Sequence, residues 1–421
     1  MELFVVFAVT LMIAVLFSGK AHRSILSTAV VFLAAGFLVG EGGFGWVDIS
    51  PTDPLVIDLA EVALFAVLFT DGMHATRSRL ANVWHLPGRA LTIGLPLTFA
   101  LGALAAHWLV GLGWVEAMLL SAVLAPTDPV FAEAIVGRKE IPARLRTLLN
   151  VESGLNDGLA LPVVIVLIAL AEHDSPHLAV ILGEIALGVL FGFVIPWLLL
   201  KLEASRWFSA HGRYEPLNVF AIGLVLYAAC EVTHANAFLA AFTAGATVAA
   251  VAPGVQRSFE QFGELVAELV KLAAILVFGA LLSVSLFTGI GAAGWALVVV
   301  LLLVVRPVSL GLALPGKLST REFIAAAWFG PKGFASVTYG LLVLTSTSPH
   351  AEEIFELVAA TIAVSIVAHS STDVVIARWF AERGPGNGSG DGSGGGPDPG
   401  DDGVQDTPGP LLAGGALDDS S

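Results

Sequence analysis

The sequence predicts an all-α polytopic membrane protein, and three observations carry this prediction. Hydrophobic residues make up 56% of the 421 residues and charged residues 13%, whereas charged residues form roughly a quarter of a typical soluble domain. The apolar residues are gathered into many runs, each long enough for a helix to cross a bilayer. Lysine and arginine concentrate in alternate connecting segments, which is typical of a chain that crosses the membrane repeatedly.

We predict about thirteen transmembrane helices, each of roughly 16 to 25 residues. Their centres lie near Val9, Phe32, Phe65, Pro96, Leu124, Asp157, Leu190, Leu224, Thr243, Leu276, Leu301, Gly333 and Val364. The first span has neither a basic stretch before it nor a cleavage site after it, so we expect it to remain in place and not to act as a signal peptide. The predicted transmembrane domain covers residues 1–382.

The acidic balance of the chain comes largely from its last segment. Residues 383–421 are rich in Gly, Pro, Ser and Asp, and they hold seven aspartates of a chain whose formal net charge is −15. Such a composition cannot bury a core, so we predict a disordered cytoplasmic tail. The low isoelectric point therefore does not indicate a binding surface, and we expect no nucleic acid partner.

Basic residues orient the predicted spans. The connecting segments that carry them lie near residues 20–23, 77–89, 138–146, 201–213, 257, 317–321 and 378–383, and the loops of the opposite side contain no Lys or Arg. Because basic loops face the cytoplasm, we predict an outside N-terminus, a cytoplasmic C-terminus and a multi-pass location in the cell membrane. The remaining basic residues, Lys271, Arg306 and Lys332, fall within spans.

Two predicted spans contain helix-breaking residues around a charge. Span five has Pro126 and Pro129 on either side of Asp128, and span twelve contains Gly330-Pro331-Lys332-Gly333. Spans seven apart in order run in opposite directions, and matched interruptions of this kind are typical of transporters with inverted repeats. We therefore predict two crossed broken helices, although the same residues could simply kink packed helices.

Three carboxylates in spans five and six indicate a site for cations and protons. Asp128, Glu152 and Asp157 lie at membrane depth, where an ionisable group is expensive and usually functional. Ser153 and Asp157 are four residues apart and share a helix face. Hard cations prefer oxygen ligands, which Asp157, Ser153 and a freed carbonyl of Thr127 could supply. One carboxylate cannot hold a proton and a cation together, and this competition alone yields exchange.

The buried charges need partners, because an unpaired charge in the interior is costly. For Glu152 our first candidate is Arg306 and our second is Lys332. Lys332 and Asp128 could also offset the partial charges at the interrupted helix ends. Lys271 is expected to pair with Glu268. Asp71, at the end of span three, either reaches the site or caps the entry to a loop.

The sequence offers little for other kinds of chemistry. The ten histidines have no metal-ligand spacing, and His74 is interpreted as a helix-end histidine. The single cysteine, Cys230, excludes a disulfide within the chain. No nucleophile stands beside a base, so we predict neither an enzyme nor a bound cofactor.

Two motifs carry a family resemblance. Thr127-Asp128-Pro129, followed by Glu152-Ser153-x-x-Asn156-Asp157-Gly158, resembles the monovalent cation:proton antiporters of the NhaP/NHE type. The resemblance covers the transmembrane part, about residues 1–382. The chain departs from the family in span twelve, where the family often has Gly-x-Arg-Gly and this sequence has Lys332 at the arginine position. A lysine keeps the charge but loses the planar fork of arginine.

The resemblance implies a site and an activity. The implied cation ligands are the Thr127 backbone carbonyl, Asp128 through water, Ser153 and Asp157, with Asn156 in support. Glu152 pairs with an arginine in the family, which favours Arg306, and Asp71 matches an acidic family position. Members with Asn-Asp in span six usually exchange one cation for one proton. We therefore expect an electroneutral sodium (or lithium)/proton antiporter that works by alternating access and serves pH homeostasis.

The resemblance also implies an organisation. Family members are homodimers in which a mobile core moves against a dimerisation scaffold. In this chain the core would comprise about residues 89–171 and 290–380, and the scaffold about residues 1–75 and 177–285.

Two alternatives to sodium/proton exchange stay open. The first is potassium/proton exchange on the same scaffold, because selectivity depends on a cavity size that a sequence does not give. The second is a sensor or channel that binds cations without coupled exchange. An intramembrane enzyme lacks a nucleophile or a metal set.

Overall fold

A computed structural model of the chain describes residues 2–21, 28–74, 85–128, 141–172, 178–205 and 214–381. Within these ranges every regular element is a helix. The chain divides into one compact unit over Met1–Glu382 and a second over Arg383–Ser421. The second unit is the predicted acidic tail, which lies outside the described residues, as does Pro129.

The first half of the chain contains seven helices in its described part. They are α1 (Glu2–Ala21), α2 (Thr28–Val39), α3 (Pro54–His74), α4 (His85–Val110), α5 (Trp114–Leu124), α6 (Ala143–Ala171) and α7 (Leu178–Glu203). The centres predicted for the first seven spans fall in these helices in order. Leu124, the predicted centre of span five, is instead the last residue of α5.

The second half continues with helices over its described residues. They are α8 (Glu215–Thr233), α9 (Ala237–Val251), α10 (Pro253–Leu281), α11 (Val284–Gly289), α12 (Ala292–Ala313), α13 (Thr320–Trp328), α14 (Phe334–Leu344) and α15 (Ala351–Ala381). The predicted centre of span twelve, Gly333, lies between α13 and α14. By length and composition, six of the described helices could each cross a membrane, and five shorter apolar helices accompany them.

Two helices widen into a single π-helical turn at corresponding places. The π turns cover Ala90–Gly94 in α4 and Leu301–Val305 in α12, and a proline (Pro96 or Pro307) follows each of them after one residue. Proline lacks an N–H and its ring collides with the preceding helical turn. A π turn shifts the hydrogen bonds at that point, which accommodates the ring without ending the helix.

The helices with these π turns pack against each other. The hydroxyls of Thr98 in α4 and Ser309 in α12 lie 2.8 Å apart. At one end Arg89 Nε donates to the Ala313 carbonyl at 2.8 Å. That carbonyl belongs to the last residue of α12, where a positive charge complements the partial negative charge of the helix end.

Packing divides fourteen of the fifteen described helices into two groups, and the short α11 contacts α15. In the first helix group (α1–α3 and α7–α10), α3 lies against α9 and α10, α7 against α9, and α2 against α10. In the second helix group (α4–α6 and α12–α15), α4 packs on α5 and α12, α5 on α6, and α14 on α15. Small residues let backbones approach within the first group, since Gly72 meets the Phe242 carbonyl and Gly245 meets the Phe69 carbonyl.

Both interruptions lie in the second group. The backbone leaves helical geometry after Leu124 and stays irregular to Asp128, the last described residue before a gap. The other break covers residues 329–333, between α13 and α14. Ser319 and Glu322 form a capping box that starts α13, and Glu322 also pairs with Arg144 of α6. After this break, α14 begins at Phe334, whose side chain is buried.

Candidate functional site

The two breaks satisfy each other's backbone groups. The N–H of Asp128 donates to the carbonyl of Pro331 at 2.9 Å. The N–H of Phe334 donates to Asp128 Oδ2 at 3.0 Å. A β-carbon on Gly333 would overlap the Asp128 side chain, so only glycine permits this approach. The breaks are thus one structural unit, formed from residues about 200 positions apart in sequence.

The carboxylate of Asp128 lies at the N-terminus of α14, where a negative charge is stabilised. Phe334 is the first residue of α14, and an anion at a helix N-terminus is stabilised by the free N–H groups and the helix dipole. A second contact runs from α14 to α5, because Ser336 Oγ donates to the Val123 carbonyl at 2.7 Å. Val123 is in the last turn of α5, whose carbonyls have no partner within the helix.

A buried polar cluster joins the first break to α6. Asn156 Nδ2 donates to Thr127 Oγ1 at 2.8 Å, and Thr127 Oγ1 lies 3.2 Å from Ser153 Oγ. All three side chains are at most 5% exposed. Asn156 Oδ1 has no hydrogen-bond donor among the described residues. A buried acceptor without a donor is costly, so this oxygen is available to a cation or to water.

Asp157 lies beside this cluster and is 4% exposed. Its backbone carbonyl accepts a hydrogen bond from the Tyr339 hydroxyl at 2.9 Å, which ties α6 to α14 at this residue. In the described part of the chain, no group donates a hydrogen bond to the Asp157 carboxylate. The ring of Phe242 in α9 lies against the neighbouring Gly158. Asp157 therefore stands at the boundary between the two helix groups.

The charges that act on Asp157 are mostly negative. Asp71 and Asp128 repel it, and Lys271 attracts it. Lys271 is itself bound to Glu268 at 2.6 Å, three residues earlier on α10, as predicted. The local excess of negative charge attracts a cation to the surroundings of Asp157. Asp71 is half-buried and approaches from the first helix group.

Glu152 forms its ion pair with Arg306 and not with Lys332. The guanidinium makes two parallel bonds to the carboxylate, Nη1 to Oε1 at 2.8 Å and Nη2 to Oε2 at 3.1 Å. It also donates to the carbonyls of Ala326 and Phe329 at 3.1 Å each. These carbonyls end α13, so Arg306 neutralises a carboxylate and a helix C-terminus together.

Lys332 lies near this pair without joining it. Its side chain is 3% exposed, and its charged neighbours are Arg306 and Glu152. Its backbone N–H donates to Ser365 Oγ at 2.8 Å, and the carbonyl of Ser365 lies 2.7 Å from His369 Nδ1. Among the described residues, the hydrogen bond of Lys332 is to Ser365 of α15 and not to the polar cluster around Thr127.

The structure brings five of the predicted site residues into one place and adds others. The five are Thr127, Asp128, Ser153, Asn156 and Asp157. Sequence reasoning missed Tyr339, Phe242 and Ser365. Each sits in an ordinary apolar helix, and no local pattern marks it.

Comparison with known proteins identifies the family. Residues 8–379 match the family described as sodium/hydrogen exchanger, transmembrane. The chain belongs to the sodium/hydrogen exchanger family. This membership confirms the family predicted from the two motifs around Asp128 and Asp157.

Several named relatives are similar along the transmembrane part. The K(+)/H(+) antiporter NhaP2 of Shewanella sp. (strain ANA-3) is 27% identical over 387 residues, which cover 89% of this chain and 66% of the relative. The K(+)/H(+) antiporter NhaP of Alkalimonas amylolytica is 29% identical over 383 residues, or 87% of this chain and 64% of the relative. The exchanger chain thus spans slightly less than two thirds of the length of these curated relatives.

A solved structure shares the fold. The sodium proton antiporter MjNhaP1 of Methanocaldococcus jannaschii superposes with a TM-score of 0.71 at 16% sequence identity, covering 90% of this chain and 96% of that one. This similarity and the family match confirm an all-helical, multi-pass membrane protein.

Proposed function

We propose that the chain is a secondary transporter that exchanges one monovalent cation for one proton by alternating access. One observation carries the proposal. Asp157 is buried at the boundary between the helix groups, next in sequence to Asn156 of the polar cluster, and no described residue hydrogen-bonds its carboxylate. A carboxylate in this position must gain its counter-charge from a bound ion, which is either a cation or a proton.

The stoichiometry follows from how the other acids are engaged. Glu152 is neutralised by Arg306, and Asp128 accepts the Phe334 N–H at the start of α14. Asn156 carries no charge. Asp157 is then the one carboxylate of the polar cluster that is free to alternate, so each cycle moves one positive charge in each direction. The exchange is electroneutral.

We propose potassium as the transported cation. The supporting observation is that the relatives at 27–29% identity are named K(+)/H(+) antiporters. Sodium, with lithium, is the second candidate, because the structural neighbour MjNhaP1 is a sodium proton antiporter. The proposed ligands are the same in both cases: the Thr127 carbonyl, Ser153 Oγ and the Asp157 carboxylate, with Asn156 Oδ1 in support and Asp128 acting through water.

We also propose that the two helix groups move against each other. The second group is the proposed mobile core and the first group the proposed dimerisation scaffold of a homodimer. Asp71 and Lys271 belong to the scaffold and act on Asp157 across the boundary. The thirteen spans, the outside N-terminus and the cytoplasmic tail complete the proposal, which assigns the chain to pH homeostasis at the cell membrane.

The test is an exchange assay with purified full-length protein in proteoliposomes. An imposed pH gradient should be dissipated by added potassium, and the assay is repeated with sodium and lithium at several pH values. Asp157→Asn should abolish the coupling, whereas Glu353→Asn, at an exposed acid in the first turn of α15, should leave it intact. Coupling that survives in Asp157→Asn would refute the proposal. Cation flux that ignores the proton gradient would favour a channel or sensor.

A further inference from the structure

Three metal-ligating side chains meet at one end of α3, away from the polar cluster. His74 is the last residue of α3, and Glu260 and Glu264 are one turn apart on α10. His74 Nε2 lies 3.6 Å from Glu260 Oε1 and 3.4 Å from Glu264 Oε1. The three ligand atoms lie within 4.8 Å of one another, and no other such group of three exists among the residues that the structure describes.

The spacing fits coordination of one ion better than direct bonding. Both nitrogen–oxygen distances exceed the roughly 3.2 Å limit of a good N–H···O bond. Two ligands at about 2.0–2.1 Å from a tetrahedral zinc ion are separated by roughly 3.3 Å, which is the tetrahedral edge. The observed 3.4 and 3.6 Å are close to that edge. One neutral imidazole and two carboxylates also balance a charge of +2.

We propose that His74, Glu260 and Glu264 form a binding site for a divalent transition-metal ion of the zinc type. Imidazole and carboxylate are ligands that zinc takes at sites with an open position. The site is accessible, because the side chains of His74 and Glu264 are 36% and 53% exposed. Water would complete the coordination.

The surrounding contacts hold the ligands in position. Gln256 Nε2, one turn before Glu260, donates to the carbonyl of Met73 at 3.0 Å. The ring of Phe259 meets Phe69 edge-on, with centroids 6.1 Å apart. These contacts fix the first turns of α10 against the last turn of α3. Two ligands from one helix and one from the other then need little rearrangement to close on an ion.

A bound ion would restrain a residue of the transport site. Asp71 lies three residues before His74, on the same face of α3. Coordination at His74 fixes the last turn of α3 to α10 and so limits how Asp71 can respond to the charge on Asp157. The expected effect is a slower exchange. This consequence rests on the proposed function, whereas the metal site itself does not.

Direct binding tests the site. Purified, metal-stripped full-length protein is titrated with Zn²⁺, and Co²⁺ absorption reports the ligand geometry. We expect one ion per chain, and His74→Ala or Glu264→Gln should weaken binding by about 10–100-fold or more, the loss already seen when an outer partner of a metal ligand is removed. His350→Ala is the matched control, because His350 is an exposed histidine 3.2 Å from Glu353 on the same turn and lacks a third ligand.

The outcomes separate the two proposals. Thermal unfolding of each variant without metal verifies that it folds. Absence of zinc binding in the wild-type protein, or equal binding in folded His74→Ala, would overturn the site. Zinc that binds through His74 in a protein without cation/proton exchange would uphold the site and refute the proposed function. Zinc inhibition of exchange that disappears in His74→Ala would support the restraint on Asp71.

Discussion

At Arg306 a single guanidinium donates to four oxygen atoms. It binds both oxygens of Glu152 and the carbonyls of Ala326 and Phe329. A lysine at this position could not reach all of them, because a point charge lacks the planar fork. The presence of Gly330 is part of the arrangement, since a β-carbon there would overlap the Arg306 side chain.

Replacement of Arg306 by Ala should destabilise the fold more than it changes cation binding. The change leaves Glu152 buried without its partner, a loss of about 3–5 kcal/mol for a broken interior pair. Thermal unfolding in detergent measures it, with Lys317→Ala as the control, because Lys317 is exposed between α12 and α13. A variant that unfolds at the wild-type temperature but binds cations poorly would instead make Arg306 a member of the cation site.

Removal of the Tyr339 hydroxyl should weaken cation binding without unfolding the protein. Tyr339→Phe deletes one hydrogen bond to the Asp157 carbonyl, an effect of about 1 kcal/mol or roughly fivefold in affinity. The apparent affinity comes from exchange rates at increasing cation concentration. Tyr214→Phe is the control, because Tyr214 is 60% exposed. Equal affinities in the two variants would show that Tyr339 does not position Asp157.

Local spacing predicts some of these residues and not others. Ser153 and Asp157 share a helix face because they are four positions apart, and the structure places Ser153 3.2 Å from Thr127 and Asp157 within the field of Asp128. For Glu152 the sequence favours Arg306 over Lys332 as partner without excluding Lys332, since helix pairing is decided by packing, and the structure has the pair with Arg306. Tyr339 reaches Asp157 across 182 positions. Nothing near Tyr339 in the sequence reveals that contact.

Proline shapes several helices in different ways. In α4 and α12 a π turn absorbs Pro96 and Pro307, and both helices continue. In α5 and between α13 and α14 the helix ends instead, near Pro126 and Pro331. The difference lies in the partners, because the exposed backbone groups at the breaks find acceptors and donors in the other break.

Gly333→Ala should disrupt the crossing of the two breaks. The new methyl group would overlap the Asp128 side chain, and overpacking of a tight interior costs about 1–3 kcal/mol. We expect a lower unfolding temperature and loss of exchange. Gly254→Ala, on α10 with nothing within 4 Å of a new β-carbon, should change neither. Full exchange in Gly333→Ala would mean that this close approach is dispensable.

The elements themselves were largely predictable, whereas their exact extents were not. Apolar runs give the helices and the Pro/Gly clusters give the interruptions. The π turns were not predicted, because a proline such as Pro96 or Pro307 is equally compatible with a kink or with the end of a helix. The proposed metal site at His74 was not predicted, since its three residues come from helices far apart in sequence.

The chain as a whole divides at the boundary where Asp157 lies. Contacts within each helix group are extensive, and the groups meet mainly through α3, α6, α9 and α14. A small cavity at this boundary is lined by Ile57 of α3 and Thr345 of the α14 end, among others. If the groups move past each other during transport, the distance between these two residues must change.

A cross-link over the boundary should therefore stop exchange. Cysteines at Ile57 and Thr345, in a Cys230→Ser background, are joined with a short thiol-reactive linker. The control pair is Glu172 and Thr347, which lie within the second group and are connected by a hydrogen bond of 3.2 Å. Exchange should disappear for the first pair and persist for the second. Undiminished exchange with Ile57 and Thr345 joined would contradict a relative movement of the groups.

The shared backbone bonds of Asp128, Pro331 and Phe334 have a consequence for how this protein can vary. Each interrupted segment needs the other to complete the hydrogen bonds of its backbone. A change that moves one segment therefore leaves unpaired N–H and C=O groups in the other, inside the membrane, where water is scarce. Tolerated substitutions in residues 126–128 and 330–334 should therefore occur in matched combinations, and single changes in either stretch should be selected against.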